Sequence, residues 1–282
     1  MSYRTPQALR MALERRLLAR SDATGVGLDR LRRRVLLERI VARLQAAEPG
    51  RWVLKGGMAL EARLGDEARL TRDIDFGLRD AVADAAELYE RLIGALTTDP
   101  DGDRFVLAPE APTVLRQDGE GPFIWRVRVE AGLGGKPFGG VQLYVSPGAH
   151  GLVATDVITL PNSLEFADIP APAIEIIGVN RHAAEKFHAM LRDFGDRENS
   201  RVRDLVDLVI LIEHGMLDPN KVAAAREQVW AERDGADPPA VLPPLPGSWH
   251  GRYERLAADH VVEATSFPAA VAVASRLWTG TG

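Results

Sequence analysis

Cysteine is absent from the 282 residues. That excludes disulfides, thiolate metal sites and thiol nucleophiles at once, and the expectation is a cytoplasmic protein. No apolar run is long enough to span a membrane. The opening segment "MSYRTPQALRMALERRLLAR" is charged and amphipathic and lacks the apolar block of a signal peptide. Glu14 and the continuity of the pattern set it apart from an Arg-rich transit peptide, so it reads as a helix of the fold. A positive excess is also missing. The net charge is -5, which rules out a molecule that is basic overall and confines any nucleic-acid contact to local patches. The Arg-rich segments "LDRLRRRVLLER" and "DRENSRVRD" are the candidates for such patches. Solvated helix faces would look the same.

What is present is ordinary for a chain that buries a real core: 46% hydrophobic and 27% charged residues. Thr5 to Ala19 reads as a helix with Pro6 in its first turn. Leu28 to Ala46 is a second, striped by Leu31, Val35, Leu36, Ile40 and Leu44. Trp52 to Leu54 is a short strand, Gly56-Gly57 a turn, and Met58 to Leu64 a helix. Leu70 to Leu78 alternates as a strand, and Ala81 to Leu96 returns to helix. Phe123 to Leu133 alternates, with Phe123, Trp125, Val127 and Val129 on one face and Arg126, Arg128 and Glu130 on the other. Phe138 to Val145 follows across a hairpin-like connection, and Val157 to Leu160 is a further strand candidate. From Arg181 the pattern becomes helical: "RHAAEKFHAMLRDF", then "SRVRDLVDLVILIEHG" with Ser200 as N-cap and Gly215 as stop. A Pro-rich connector, "GADPPAVLPPLPGSW", precedes a last helical region from Leu256 to Trp278. The organisation is a mixed α/β N-terminal half and a helical C-terminal half.

The stretch "LKGGMALEARLGDEARLTRDIDFGLRD" carries the chemistry. Alternate strand residues share a face, so Thr71, Asp73 and Asp75 point one way and Ile74, Phe76 and Leu78 the other. Two carboxylates two residues apart repel unless a cation lies between them. Hard divalent ions bind through one or two carboxylates plus substrate phosphates. Glycine permits close backbone approach, and a helix starting after the turn aims free N–H groups outward, a phosphate site to which Lys55 adds charge.

In this order, strand, Gly-Gly, helix and Asp-x-Asp strand, the segment resembles the nucleotidyltransferase superfamily signature. More closely, "WVLKGGMALEARL", "TRDIDF", "AAEKFHAML" and "RVRDLVDL" resemble the AbiEii/MenT family, toxins of toxin–antitoxin and phage-defence systems, from about Tyr3 to about Gly215. The resemblance implies an α/β (α+β) chain. A nucleotidyltransferase-like mixed-sheet domain with N-terminal helices would span residues 1–170, and a helical C-terminal domain 171–282. It implies Asp73 and Asp75 as carboxylates for one or two Mg²⁺ ions, and Gly56 and Gly57 as the phosphate turn, with Lys55 beside it as a nucleotide-binding charge. Lys186 falls on the family's helix lysine, facing the triphosphate. Asp204 falls on the aspartate of the next helix, orienting that lysine or the base. Asp207 reads as structural, capping or pairing with Arg203. His182 and His188 flank Lys186; a surface place suits either, and neither is assigned to the site.

The implied activity is transfer of NMP from an NTP to the 3′ end of tRNA, blocking translation, with a cognate antitoxin as partner. Nucleotidyl transfer to a small molecule or a protein is the alternative, and a non-catalytic interaction protein the third. One departure bears on this. Where a third carboxylate is common on a later strand, this chain has Tyr144, with Gln142 on the same face. Glu130 is the nearby carboxylate that would have to substitute. Met58 also stands where the wider superfamily has a phosphate-binding serine.

Overall fold

The computed structural model describes residues 3–115, 123–148, 152, 154–193, 195 and 198–280. The chain divides into two compact units, Met1–Ala62 with Leu70–Ile176, and Arg63–Arg69 with Ile177–Gly282.

In the first unit, Thr5 caps α1 (Pro6–Thr24) by accepting from the Ala8 N–H at 3.2 Å. After it come α2 (Leu28–Ala47), β1 (Trp52–Lys55) and α3 (Gly56–Leu64), then β2 (Asp73–Leu78) and α4 (Ala85–Leu96). The remaining elements are strands: β3 (Val106–Pro109), β4 (Thr113–Leu115), β5 (Ile124–Leu133), β6 (Lys136–Pro147), β7 (Thr155–Thr159) and β8 (Ala173–Ile177). They form one mixed sheet in the order β3-β5-β6-β2-β1-β8-β7, with β4 also pairing β5. β2 runs antiparallel to β1 and parallel to β6. The alternation read from the sequence holds within β5, but Phe123, placed on its buried face, precedes the strand and is exposed. Trp125, Val127 and Val129 are buried, while Arg126 and Glu130 are exposed.

One sheet face is apolar. Leu54, Ile74, Phe76, Val127 and Leu143 are buried there, as are Val35, Leu36, Ile40 and Leu44 of α2 and Leu88 and Leu92 of α4. Each such side chain contributes about 1.5–3 kcal/mol of transfer free energy. β2 begins at Asp73 rather than Leu70, and α4 at Ala85 rather than Ala81. Asp84 sets the start of α4 by accepting from the Glu87 N–H at 2.9 Å.

The Arg-rich stretch of α2 is neither a solvated face nor a basic patch. Arg30 and Arg34 share Glu61 Oε1, at 2.8 and 2.6 Å. Arg32 reaches Glu14 at 2.8 Å. Arg39 is fully buried near Asp101 and Asp103. One turn on, Arg43 holds Asp103 through two bonds of 2.6 and 2.7 Å. These ions hold residues 99–105 against the helix, because buried guanidinium needs a paired carboxylate.

The second unit is helical: α5 (Val179–Leu191), α6 (Val202–Glu213), α7 (Pro219–Asp234), α8 (His250–Ala257) and α9 (Phe267–Thr279). Its core includes Phe187, Trp230 and Trp278, stacked edge to face at 5.1 and 5.7 Å. Ser200 is not the cap of α6: the helix starts after Arg201, without a side-chain cap bond. Gly215 does stop it, in the left-handed region at φ 63°. α7 is an addition to the sequence reading, and the region from 256 to 278 breaks into two helices around residues 258–266. Of the segment "DRENSRVRD", Asp196 and Arg197 lie outside the described residues, and Arg201 and Arg203 are exposed. The histidines of α5 are not surface residues. Both are buried, and His188 Nε2 bonds the Asp234 carboxylate at 3.0 Å.

Candidate functional site

The glycine turn and the Asp-x-Asp strand are packed as one piece. Gly56 opens α3 with φ +60°, a conformation that favours glycine. A Cβ on Gly56 would lie 1.9 Å from Asp75 Oδ2, so the carboxylate rests directly on this α-carbon. A Cβ on Gly57 would lie 2.9 Å from the Thr71 side chain. The close approach that the glycines permit is therefore to Asp75 and Thr71, which seat β2 against the start of α3. Met58, in place of a hydroxyl residue, is buried in the core.

The strand registers define the polar face. Lys55 pairs with Asp75 across β1 and β2. Asp75 pairs with Tyr144, and Asp73 with Gln142, across β2 and β6. Arg126 and Arg128 of β5 pair in turn with Tyr144 and Gln142. Lys55, Asp73, Asp75, Gln142, Tyr144, Arg126 and Arg128 thus share one side of the sheet. The stem of Lys55 passes over Gly77, where a Cβ would meet its Cδ at 3.3 Å. Tyr144 is held above the ordinary phenol range, first by burial and then by Asp73 and Asp75, with Arg126 pulling the other way.

Glu130 does not fill the place of the third carboxylate. It pairs with Gly140, one step further along the face, and Arg128 Nε donates to it at 2.6 Å. Among the described residues, no group of three acidic or histidine side chains could hold a metal ion.

In the second unit, α5 and α6 bring Lys186 and Asp204 together: Lys186 Nζ donates to Asp204 at 3.0 Å. The same ammonium donates to Asp207 at 2.6 Å. Asp207 pairs with Arg69 rather than Arg203, through contacts of 3.1 and 3.3 Å. Burial would push the Lys186 ammonium down, but Asp207 and Asp204 outweigh it and hold the group above the ordinary lysine range. Burial would likewise raise Asp207, and Lys186 and Arg69 reverse that, leaving it below the usual carboxylate range. The result is a charge-balanced chain, Arg69–Asp207–Lys186–Asp204, with Asp207 and Lys186 buried. Lysine has three donors, and the two aspartates take two of them.

Arg69 was not legible as part of this group. It lies 138 residues from its partner in sequence, and nothing in its own neighbourhood marks it. The two units are thus each furnished: one with paired carboxylates beside a glycine turn, the other with a lysine fixed in its charged state.

No curated protein matches the chain. Among solved structures it is similar to JHP933 from Helicobacter pylori, with 19% identity, coverage of 90% of this chain and 93% of that one, and a TM-score of 0.51. A candidate nucleotidyltransferase from H. pylori matches at 18% identity over 90% and 96%, with a TM-score of 0.46. The antibiotic-resistance factor ANT(2'')-Ia matches at 15% identity over 72% and 94%, with a TM-score of 0.39. The likeness to JHP933 shows a shared fold. The model of the nucleotidyl transferase AbiEii toxin family, of type IV toxin–antitoxin systems, matches residues 39–273, and the chain belongs to that family.

Proposed function

We propose that this toxin is an Mg²⁺-dependent nucleotidyltransferase that moves NMP from an NTP onto the 3′ end of tRNA. The observation that carries the reading is the seating of Asp75 on Gly56, with Asp73 beside it on the same sheet face. Two carboxylates two residues apart on one strand face repel each other, and a hard divalent cation completed by phosphate oxygens relieves that repulsion.

The donor set fits such an ion: Asp73 and Asp75 would hold it, and the substrate phosphates would complete the shell. Bound there, it supplies Lewis-acid polarisation of the phosphoryl oxygens and charge neutralisation. In the reaction, the terminal ribose oxygen attacks the α-phosphorus, the bond to the bridging α–β oxygen breaks, and pyrophosphate leaves. Lys55, Gly56 and Gly57 are assigned to the nucleotide phosphates. Lys186 is assigned to the triphosphate through its remaining donor, with Asp204 orienting it. The cognate antitoxin is the protein partner.

The test is toxicity on induced expression. Asp73→Ala and Asp75→Ala should each abolish growth arrest while the purified variants melt as the wild type does. Full toxicity from a folded variant of either would contradict the mechanism.

A further inference from the structure

The row of residues leading away from Asp73 and Asp75 continues past β2. Asp75 faces Tyr144, and Tyr144 faces Arg126; one step along, Asp73 faces Gln142. Adjacent strands lie about 4.8 Å apart, so the row reaches about 10 Å from the carboxylates to β5.

Three side chains in these two rows carry polar groups that no described residue takes up. The side-chain nitrogen of Gln142 is shielded from solvent, yet it has no hydrogen-bond partner among the described residues. A buried amide without an acceptor is costly, and native structures rarely leave one unless something else supplies the acceptor. The hydroxyl of the half-buried Tyr144 bonds no described residue. Arg126 is exposed and has no carboxylate partner among the described residues, whereas its neighbour Arg128 is taken by Glu130. Among the described residues, an unused donor, an unused hydroxyl and a guanidinium without a carboxylate thus stand at neighbouring positions in two adjacent rows of one sheet face. The single-stranded end of an RNA presents the matching groups: ribose hydroxyls, base oxygens and a phosphodiester.

We propose that Tyr144, Gln142 and Arg126 form the subsite for the 3′-terminal nucleotide of the acceptor RNA. Tyr144 bonds the terminal ribose, Gln142 donates to an oxygen of that nucleotide, and Arg126 contacts the last phosphodiester. The inference rests on the RNA-acceptor reading above. It accounts for a tyrosine where a third carboxylate would stand: the position serves the acceptor instead of a metal.

The experiment measures binding of a fluorescent RNA hairpin with a single-stranded 3′ tail, without NTP, by anisotropy across a salt series. Arg126→Ala and Gln142→Leu should each weaken binding about tenfold, the size of one lost polar contact to a nucleic acid. Arg126→Ala should also lower the slope of log affinity against log salt by about 0.7, the value for one phosphate contact on a single strand. Arg15→Ala removes the same charge from an exposed site on α1 and should change neither quantity by more than about twofold. In steady state, Tyr144→Phe and Arg126→Ala should raise KM for the RNA and leave KM for NTP unchanged.

Unchanged binding and slope in folded Arg126→Ala would overturn the subsite, as would an equal loss in Arg15→Ala. A wild type that binds the hairpin in this manner but labels no RNA upholds the subsite and refutes the transfer reading. A wild type that transfers nucleotide to another acceptor and ignores the hairpin overturns the subsite alone.

Discussion

Gly56→Ala tests the link between the turn and the carboxylate strand. Two separable penalties act at this residue. The first is conformational: φ is +60°, and a non-glycine residue held there loses about 1–2 kcal/mol. The second is steric. The new methyl would lie 1.9 Å from Asp75 Oδ2 and 2.7 Å from its Cγ, so the carboxylate must leave or the strand must shift. Such overpacking costs about 1–3 kcal/mol, for a total of about 3 kcal/mol. Asp75→Ala removes the oxygen and the carboxyl carbon, so in that background Gly56→Ala should lose only the conformational part. A double-mutant cycle should therefore show coupling equal to the steric part, about 1–3 kcal/mol. Amide hydrogen exchange of β1 and β2 is the suitable assay, since it reports local stability in a chain with two units. Gly56→Ala should also reduce nucleotide transfer more than tenfold, at about 1.4 kcal/mol per factor of ten, because Asp75 is displaced. Equal cost in both backgrounds would refute the packing argument, and so would full activity of Gly56→Ala.

Three further outcomes follow from the buried ions. Glu38 is buried in α2, bonded by the Ser163 N–H and hydroxyl at 3.0 and 2.7 Å, and burial pushes its carboxyl from 4.5 up to about 7. The native state then holds a proton that the unfolded state releases between these values. Stability is fully present below pH 4.5 and falls as pH rises to 7, by about 3 kcal/mol at 1.36 kcal/mol per pH unit. Glu38→Gln should remove this slope and be more stable than wild type at pH 8; wild-type urea curves that coincide at pH 5 and 8 would contradict it. Asp207→Ala leaves Lys186 and Arg69 with a buried charge too many and should cost about 3–5 kcal/mol in urea denaturation of the helical unit. A loss below about 1 kcal/mol would show that the network behaves like surface ion pairs. Asp103→Ala, which strands buried Arg43, should lose a similar amount in the sheet unit, and an unaltered melting temperature would contradict that.

The sequence yields those parts of the fold that rest on local rules. The apolar and polar alternation of β5 follows from a period of two; Gly56 and Gly57 follow a strand as read, but they form the first residues of α3 itself rather than a turn before a helix at Met58. Asp73 and Asp75 share a face for the same reason of period. What could not be read depends on partners far along the chain. Arg30, Arg34 and Arg39 read as a basic patch or a solvated face until Glu61, Asp101 and Asp103 turn them inward. Asp207 has an arginine four residues before it, at Arg203, yet its partners are Arg69 and Lys186. His188 is polar, but Asp234 and Trp230 bury it. Short edge elements such as β4 carry too few residues for any pattern to show. The α7 helix has its apolar residues, Val222, Ala225 and Val229, in the right places. Its high charge hides them.

The central claim is nucleotide transfer by the Asp73–Asp75 face, and the most direct test is chemical. Purified protein is incubated with Mg²⁺, total tRNA and each α-labelled NTP in turn, alongside Asp73→Ala. The account predicts label on the 3′ end of RNA with the wild type and none with the variant. Label that persists in folded Asp73→Ala, or appears on no RNA with any NTP, would contradict it.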